Sequence, residues 1–158
     1  MMNRRGFLSA LAGGALAVRR PGHSLTKPNI VIFLADDLGY GDLGCTGCAD
    51  IHTPNIDRLA AEGVRFSHAY ANAPVCTPTR VALLTGRYQQ RSGLSRVIYV
   101  RERNLGLSLD ALLLPELLKP HGYATALIGK WHLGFPKRYF PTRQGFDEFR
   151  GHLAGNID

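Results

Sequence analysis

The 158-residue sequence has no run of about 18 or more apolar residues, so it offers no candidate for a membrane-spanning helix. Three cysteines are too few to build a disulfide scaffold, and there is one tryptophan. No internal repeat, low-complexity tract or nucleic-acid reading motif appears, which argues against solenoid and nucleic-acid-binding classes. Acidic residues are scarce at one end only: the first twenty residues hold Arg4, Arg5, Arg19 and Arg20 and no acid. What is present is globular in balance, with 45% hydrophobic and 20% charged residues. The net charge of +7 comes from 19 basic and 12 acidic residues, and without the first twenty the count is 15 against 12. A remaining cluster (Arg80, Arg87, Arg91, Arg96, Arg101 and Arg103, offset by Glu102) suits either a polyanion or a solvated face.

Residues 1–22 read MMNRRGFLSALAGGALAVRRPG. A basic start, a short apolar stretch weakened by Gly13 and Gly14, and the small residues Ala15 and Ala17 form the anatomy of a secretory signal. Arg4-Arg5 followed by Gly6-Phe7-Leu8 resembles the twin-arginine type, with Arg19 and Arg20 supplying charge before cleavage. The expectation is an export signal over residues 1–22, read by the twin-arginine machinery, and a periplasmic or extracellular mature chain. A generic secretory signal is the alternative.

The remainder alternates strand and helix signals. Residues 29–35 (NIVIFLA) are continuously apolar and β-branched, the pattern of a parallel strand buried on both faces, and Asp36, Asp37 and Gly39 end it. Thr53-Pro54 reads as a cap and first helical position, with the helix closing before Gly63. Residues 64–70 suggest a second strand. Thr77-Pro78 repeats the cap-and-proline signal, with an exit at Gly86. The leucine-rich residues 105–121 predict a helix started or interrupted at Pro115 and stopped by Pro120 and Gly122. Residues 124–129 (ATALIG) predict a strand, and after Trp131 loops dominate. This order predicts an α/β fold with a largely parallel sheet, whose ligands lie beyond the carboxyl ends of strands.

Three places near such ends carry chemistry. Asp36 and Asp37 are hard oxygen donors suited to Ca²⁺ or Mg²⁺, provided the backbone turns between them, and Gly39 permits a turn. On the pair alone a solvated turn is the favoured reading. Cys76 falls just outside the helix expected from Thr77, where free N–H groups favour an anion, and Arg80 adds planar donors for a tetrahedral oxyanion. Lys130 and His132 are two apart and share a face if the strand continues. Trp131 reads as packing. Cys45 and Cys48 form a lone C-x-x-C, which suits a disulfide or a metal pair only weakly. His52, His68, His121 and His152 have no partners that the sequence identifies.

Together these segments resemble the type I sulfatases of the alkaline-phosphatase-like superfamily. Cys76-Thr77-Pro78-Thr79-Arg80 with Leu84-Thr85-Gly86-Arg87 resembles the family's C-x-P-x-R signature, with Thr79 where serine is commonest. NIVIFLADDLGYGDLGC, HTPNIDRLAAEGVRFSHAY, GYATALIGKWHLG and GFDEFRG resemble further family segments in the family's order. The resemblance runs from Lys27 to the last residue and implies a partial sulfatase catalytic domain over residues 27–158.

It implies a reaction as well. Cys76 would be oxidised to formylglycine by a separate formylglycine-generating enzyme. Asp36, Asp37 and modified Cys76 would bind Ca²⁺, with Mg²⁺ the lesser alternative. Arg80 would hold the hydrated aldehyde and bind substrate, Lys130 would bind sulfate oxygens, and His132 would act as a base in expelling sulfate. The substrate would be a sulfate ester of a glycan or an aryl alcohol. Nothing after His132 fits the family's later metal ligands or general acid, so the chain reads as an N-terminal portion that is inactive and binds Ca²⁺ poorly by itself. The competing readings are a non-catalytic truncated remnant and a related formylglycine-dependent phosphonate or phosphodiester hydrolase.

Overall fold

The computed structural model describes residues 27–156, so the leader expected over residues 1–22 lies outside the described residues. The chain divides into two compact units between Ala35 and Asp36. In the first, residues 29–35 do not form the expected strand, and Ile30, Val31, Ile32 and Phe33 are each half or more exposed. An apolar run becomes a strand only when a neighbour takes up its N–H and C=O groups. Among the described residues the sheet has two strands, and neither is this one.

The second unit holds three α-helices: α1 (Pro54–Glu62), α2 (Cys76–Thr85) and α3 (Leu114–Leu118). Helix α1 starts at Pro54 and ends at Gly63 as expected. Thr53 does not cap it through its side chain; its hydroxyl accepts from Gly44 N (2.9 Å) and donates to Asp57 Oδ1 (2.9 Å). Asp57 Oδ1 also accepts from Cys45 N (2.7 Å), so the short 3₁₀ turn Gly44–Thr46 is stapled onto α1. A Cβ at Gly44 would strike the Asp57 carboxylate, so this approach requires glycine. Cys45, within this turn, and Cys48, just after it, are free thiols. Residues 64–70 are not a strand, and Val64, Phe66 and Tyr70 are largely exposed.

Helix α3 begins at Leu114, so of the two expectations for Pro115 it starts the helix and does not interrupt it. Pro115 fits its first turn, and the Glu116 carboxylate accepts from Leu113 N (2.8 Å). The helix tightens to 3₁₀ over Lys119–His121 and stops at Gly122, whose φ of 78° places it in the left-handed region.

Strands β1 (Ala126–Lys130) and β2 (Glu148–His152) pair in parallel, from Ala126 with Glu148 to Lys130 with His152. The first extends one residue past the expected ATALIG strand. The second falls where loops were expected, because only Phe149 of Glu148–His152 is apolar and alternation is unreadable there. The crossover between them supplies much of the core: Trp131, Leu133, Phe135 and Phe146 are buried with Val81, Leu94, Ile98, Leu107 and Leu113. Trp131 is 1% exposed, packs edge-on against Phe146 (6.3 Å, 88°) and donates Nε1–H to Tyr139 O (2.8 Å). It is packing, as the sequence suggested.

Asp147 latches the entry to β2. Its carboxylate accepts from Thr125 N (2.8 Å) and Thr125 Oγ1 (3.0 Å) and pairs with Lys119 Nζ (2.9 Å). Lys119 first, and then the Thr125 donors, hold its pKa at about 2.

Two outcomes follow. Trp131→Ala removes the largest fully buried side chain and should cost about 3–5 kcal/mol in denaturant titration. The lowered pKa of Asp147 gives stability that is complete above its unfolded value near 4 and lost as pH falls toward about 2. Asp147→Asn should flatten that acid limb in a pH series of melting curves, and an unchanged limb would exclude the latch.

Candidate functional site

The site forms where the N-terminus of α2 meets the end of β1. Val75 is extended (φ −142°, ψ 159°) and α2 starts at Cys76, one residue earlier than the Thr77 cap expected from sequence. Cys76 thus belongs to the first turn, not to the chain before it. Thr77 cannot cap because its side chain is fully buried, with its hydroxyl donating to His132 O (3.2 Å) and accepting from Ile98 N (3.3 Å). Thr79, the position that departs from serine, keeps a working hydroxyl 2.9 Å from both Ala73 O and Val75 O.

Arg80 reaches across to the strand. Its Nη1 donates to Lys130 O (2.6 Å) and its Nη2 lies 3.4 Å from Asp36 Oδ1. Lys130 Nζ meets the other Asp36 oxygen at 2.8 Å. The side chains of Arg80 and Lys130 are 12% and 9% exposed, while that of Asp36 is 45% exposed. Two nearly buried cations therefore face one half-open carboxylate, an arrangement with surplus positive charge that suits an anion. Arg80 Nε is buried and has no hydrogen-bond partner among the described residues. The hydrogen bond from Lys130 is the largest cause of a lowered Asp36 pKa, with Lys130 and Arg80 charge adding to it against desolvation.

His132 does not share a strand face with Lys130. The strand ends at Lys130, and His132 adopts a left-handed backbone with φ 59°. That conformation costs a non-glycine residue about 1–3 kcal/mol and persists only where its surroundings over-determine it. Here they do: His132 N donates to Leu153 O (3.2 Å), His132 O accepts from Thr77, and Nε2 is 2.8 Å from Ile98 O. A carbonyl only accepts, so Nε2 carries the proton, and Nδ1 is left to accept from Cys76 Sγ at 3.1 Å. Burial is the main cause holding the His132 pKa below its ordinary value, and the charges of Lys130 and Arg80 act in the same direction. Gly155 closes over the ring, and a Cβ there would lie 2.7 Å from His132 Cε1.

Asp36 joins this cluster and Asp37 does not. The backbone does turn between them, at Asp37 itself (φ 60°) rather than at Gly39. Gly39 instead donates its N–H to Asp42 Oδ2 (2.6 Å). Two carboxylates match Ca²⁺ in donor type, but that ion takes about six to eight oxygens. No group of three or more His, Cys, Asp or Glu suited to a metal occurs among the described residues. Of the arginine cluster Arg80 joins the site, while Arg87, Arg91, Arg96, Arg101 and Arg103 are exposed, Arg96 pairs with Glu102 (2.6 Å), and Arg101 stacks over Tyr99. Ile98, Leu153 and Gly155 were missed from sequence. The first two act through backbone carbonyls, and Gly155 acts by lacking a side chain.

Lys130→Met should raise the Asp36 pKa toward the ordinary carboxylate value, and Arg80→Met should raise it less, when the carboxyl carbon is titrated by NMR. An unmoved Asp36 in Lys130→Met would overturn the charge assignment.

The Sulfatase family model matches residues 28–157. Human arylsulfatase A is 48% identical over 149 residues, which cover 93% of this chain and 28% of that protein. N-acetylgalactosamine-6-sulfatase of Mus musculus is 45% identical over 151 residues, covering 91% and 28%. The crystal structure of Ps i-CgsB superposes with a TM-score of 0.80 at 45% identity, over 83% of this chain and 29% of that one. The chain thus spans under a third of the length of these relatives, and over that span it belongs to the sulfatase family.

Proposed function

We propose that this chain carries the nucleophile-bearing part of a sulfuric ester hydrolase, residue 76 acting after a formylglycine-generating enzyme has oxidised Cys76. The supporting observation is the convergence of three distant stretches: Asp36, the α2 turn with Cys76 and Arg80, and Lys130 with His132. The hydrated aldehyde supplies two hydroxyls: one would attack sulfur and displace the alcohol, and the other would give up its proton as sulfate is expelled and the aldehyde is restored. Asp36 and Asp37, with an oxygen of residue 76, would hold Ca²⁺, whose charge eases ionisation of a hydroxyl there.

The chain's own groups do the rest. Lys130, nearly buried beside the half-exposed Asp36, directs its ammonium at the sulfate oxygens. Arg80 stays fixed by the Lys130 carbonyl and balances negative charge at residue 76. His132 Nδ1 is the acceptor nitrogen that faces residue 76, so it takes the proton of the second hydroxyl as sulfate leaves. Relatives named for aryl and for N-acetylgalactosamine sulfates bracket the substrate class, and a sulfated glycan is our choice within it. Residues 27–158 form the N-terminal portion of the catalytic domain, and residues 1–22 direct the folded, oxidised protein to export by the twin-arginine route.

Co-expression with a formylglycine-generating enzyme should convert the Cys76 thiol to an aldehyde, read by mass spectrometry of its peptide. A thiol that stays unmodified refutes the catalytic reading. Cys76→Ala should give no aldehyde in the same experiment.

A further inference from the structure

Thr77, Ile98 and His132 form a closed ring of hydrogen bonds. The Thr77 hydroxyl donates to His132 O (3.2 Å) and accepts from Ile98 N (3.3 Å), and Ile98 O receives the His132 Nε2–H (2.8 Å). Thr77 and Ile98 are fully buried and His132 is 3% exposed, so water does not substitute for a missing partner. The hydroxyl is fully used, with its one proton given to the strained residue and a lone pair given to the loop that faces the imidazole. We infer that Thr77 is a positioning residue: by tying the His132 backbone to Ile98, it keeps the Ile98 carbonyl where only the Nε2–H form of His132 satisfies it.

The consequence falls on residue 76. The neutral imidazole has one donor nitrogen and one acceptor nitrogen. With the proton on Nε2, the acceptor Nδ1 faces Cys76 Sγ at 3.1 Å. In the other tautomer a donor would face residue 76 and the buried Ile98 carbonyl would lose its partner. Position 77, a variable place within the cysteine signature, thereby decides what residue 76 meets. Volume alone does not explain the choice, because valine fills the same space. A valine would leave both Ile98 N and His132 O unpaired in a dry site. The use of His132 as a base rests on the function proposed above, while the tautomer and its control by Thr77 do not.

The test is NMR of the full chain with isotopically labelled histidine, at mildly alkaline pH, His132→Gln identifying the His132 signals. The wild-type chain should show the Nε2–H pattern for His132. Thr77→Val should lose it, giving averaged nitrogen shifts, and Thr77→Ser, which keeps the hydroxyl, should retain it. A Thr77→Val chain that folds and keeps the wild-type His132 pattern overturns the inference. If Thr77→Val fails to fold by circular dichroism, Thr77→Ser and Thr77→Cys, matched to each other in shape, decide: retention with serine and loss with cysteine supports the clamp. Any other pattern, including loss with serine, overturns it. The readout needs neither oxidation of Cys76 nor turnover. A failed aldehyde assay with an intact Nε2–H pattern therefore rejects the proposed function alone, and the converse result rejects the clamp alone.

Discussion

The shortest hydrogen bond joining the two halves of the site runs from the Arg80 guanidinium to the Lys130 carbonyl, at 2.6 Å. It ties the first turn of α2 to the last residue of β1. The fixed charge of Arg80, the direction of the Lys130 side chain and the start of the turn that carries His132 all depend on it. A lysine in place of Arg80 would bring charge without the planar fork that serves Lys130 O and Asp36 together. The buried, unpartnered Nε shows that the guanidinium is held for direction more than for saturation.

Around that tie the electrostatics are unbalanced in a useful way. Lys130 and Arg80 share Asp36, and the carboxylate is the exposed member of the three. Positive charge is kept dry while its counter-charge stays half in water, so an arriving anion or cation can redraw the pairing at small cost. His132 feels these charges without joining the pairing. Its ring is buried, its protonated nitrogen is occupied by a backbone carbonyl, and its free nitrogen faces only Cys76.

Sequence reading picked out which residues meet better than how they are arranged. Asp36, Cys76, Arg80, Lys130 and His132 were all legible because each lies in a segment with a recognisable residue order, and the structure brings them together. The errors have physical causes. Thr77-Pro78 looks like a cap and first position, yet burial turned the threonine inward, and the helix began at Cys76. Alternation suggested that Lys130 and His132 share a face, but the strand ends and the backbone inverts between them. Strand β2 carries too little apolar pattern to be seen, while residues 29–35 carry a strong one without becoming a strand. Contacts made through the Ile98 and Leu153 carbonyls leave no side-chain signature at all.

The exposed run of residues 29–35 has a consequence for the solubility of the chain. Seven consecutive residues with high β-propensity, no proline and no charge are the composition of a segment prone to self-association. It is bounded by Lys27-Pro28 on one side and Asp36-Asp37 on the other. Charge and proline at the borders of such a segment act as gatekeepers, since like-charged neighbours repel in a stacked assembly and proline cannot donate to its ladder. The two aspartates thus have a second physical duty. Neutralising both, even where the site tolerates it, would remove the brake on fibre-like association at one end of the most adhesive stretch in the described chain.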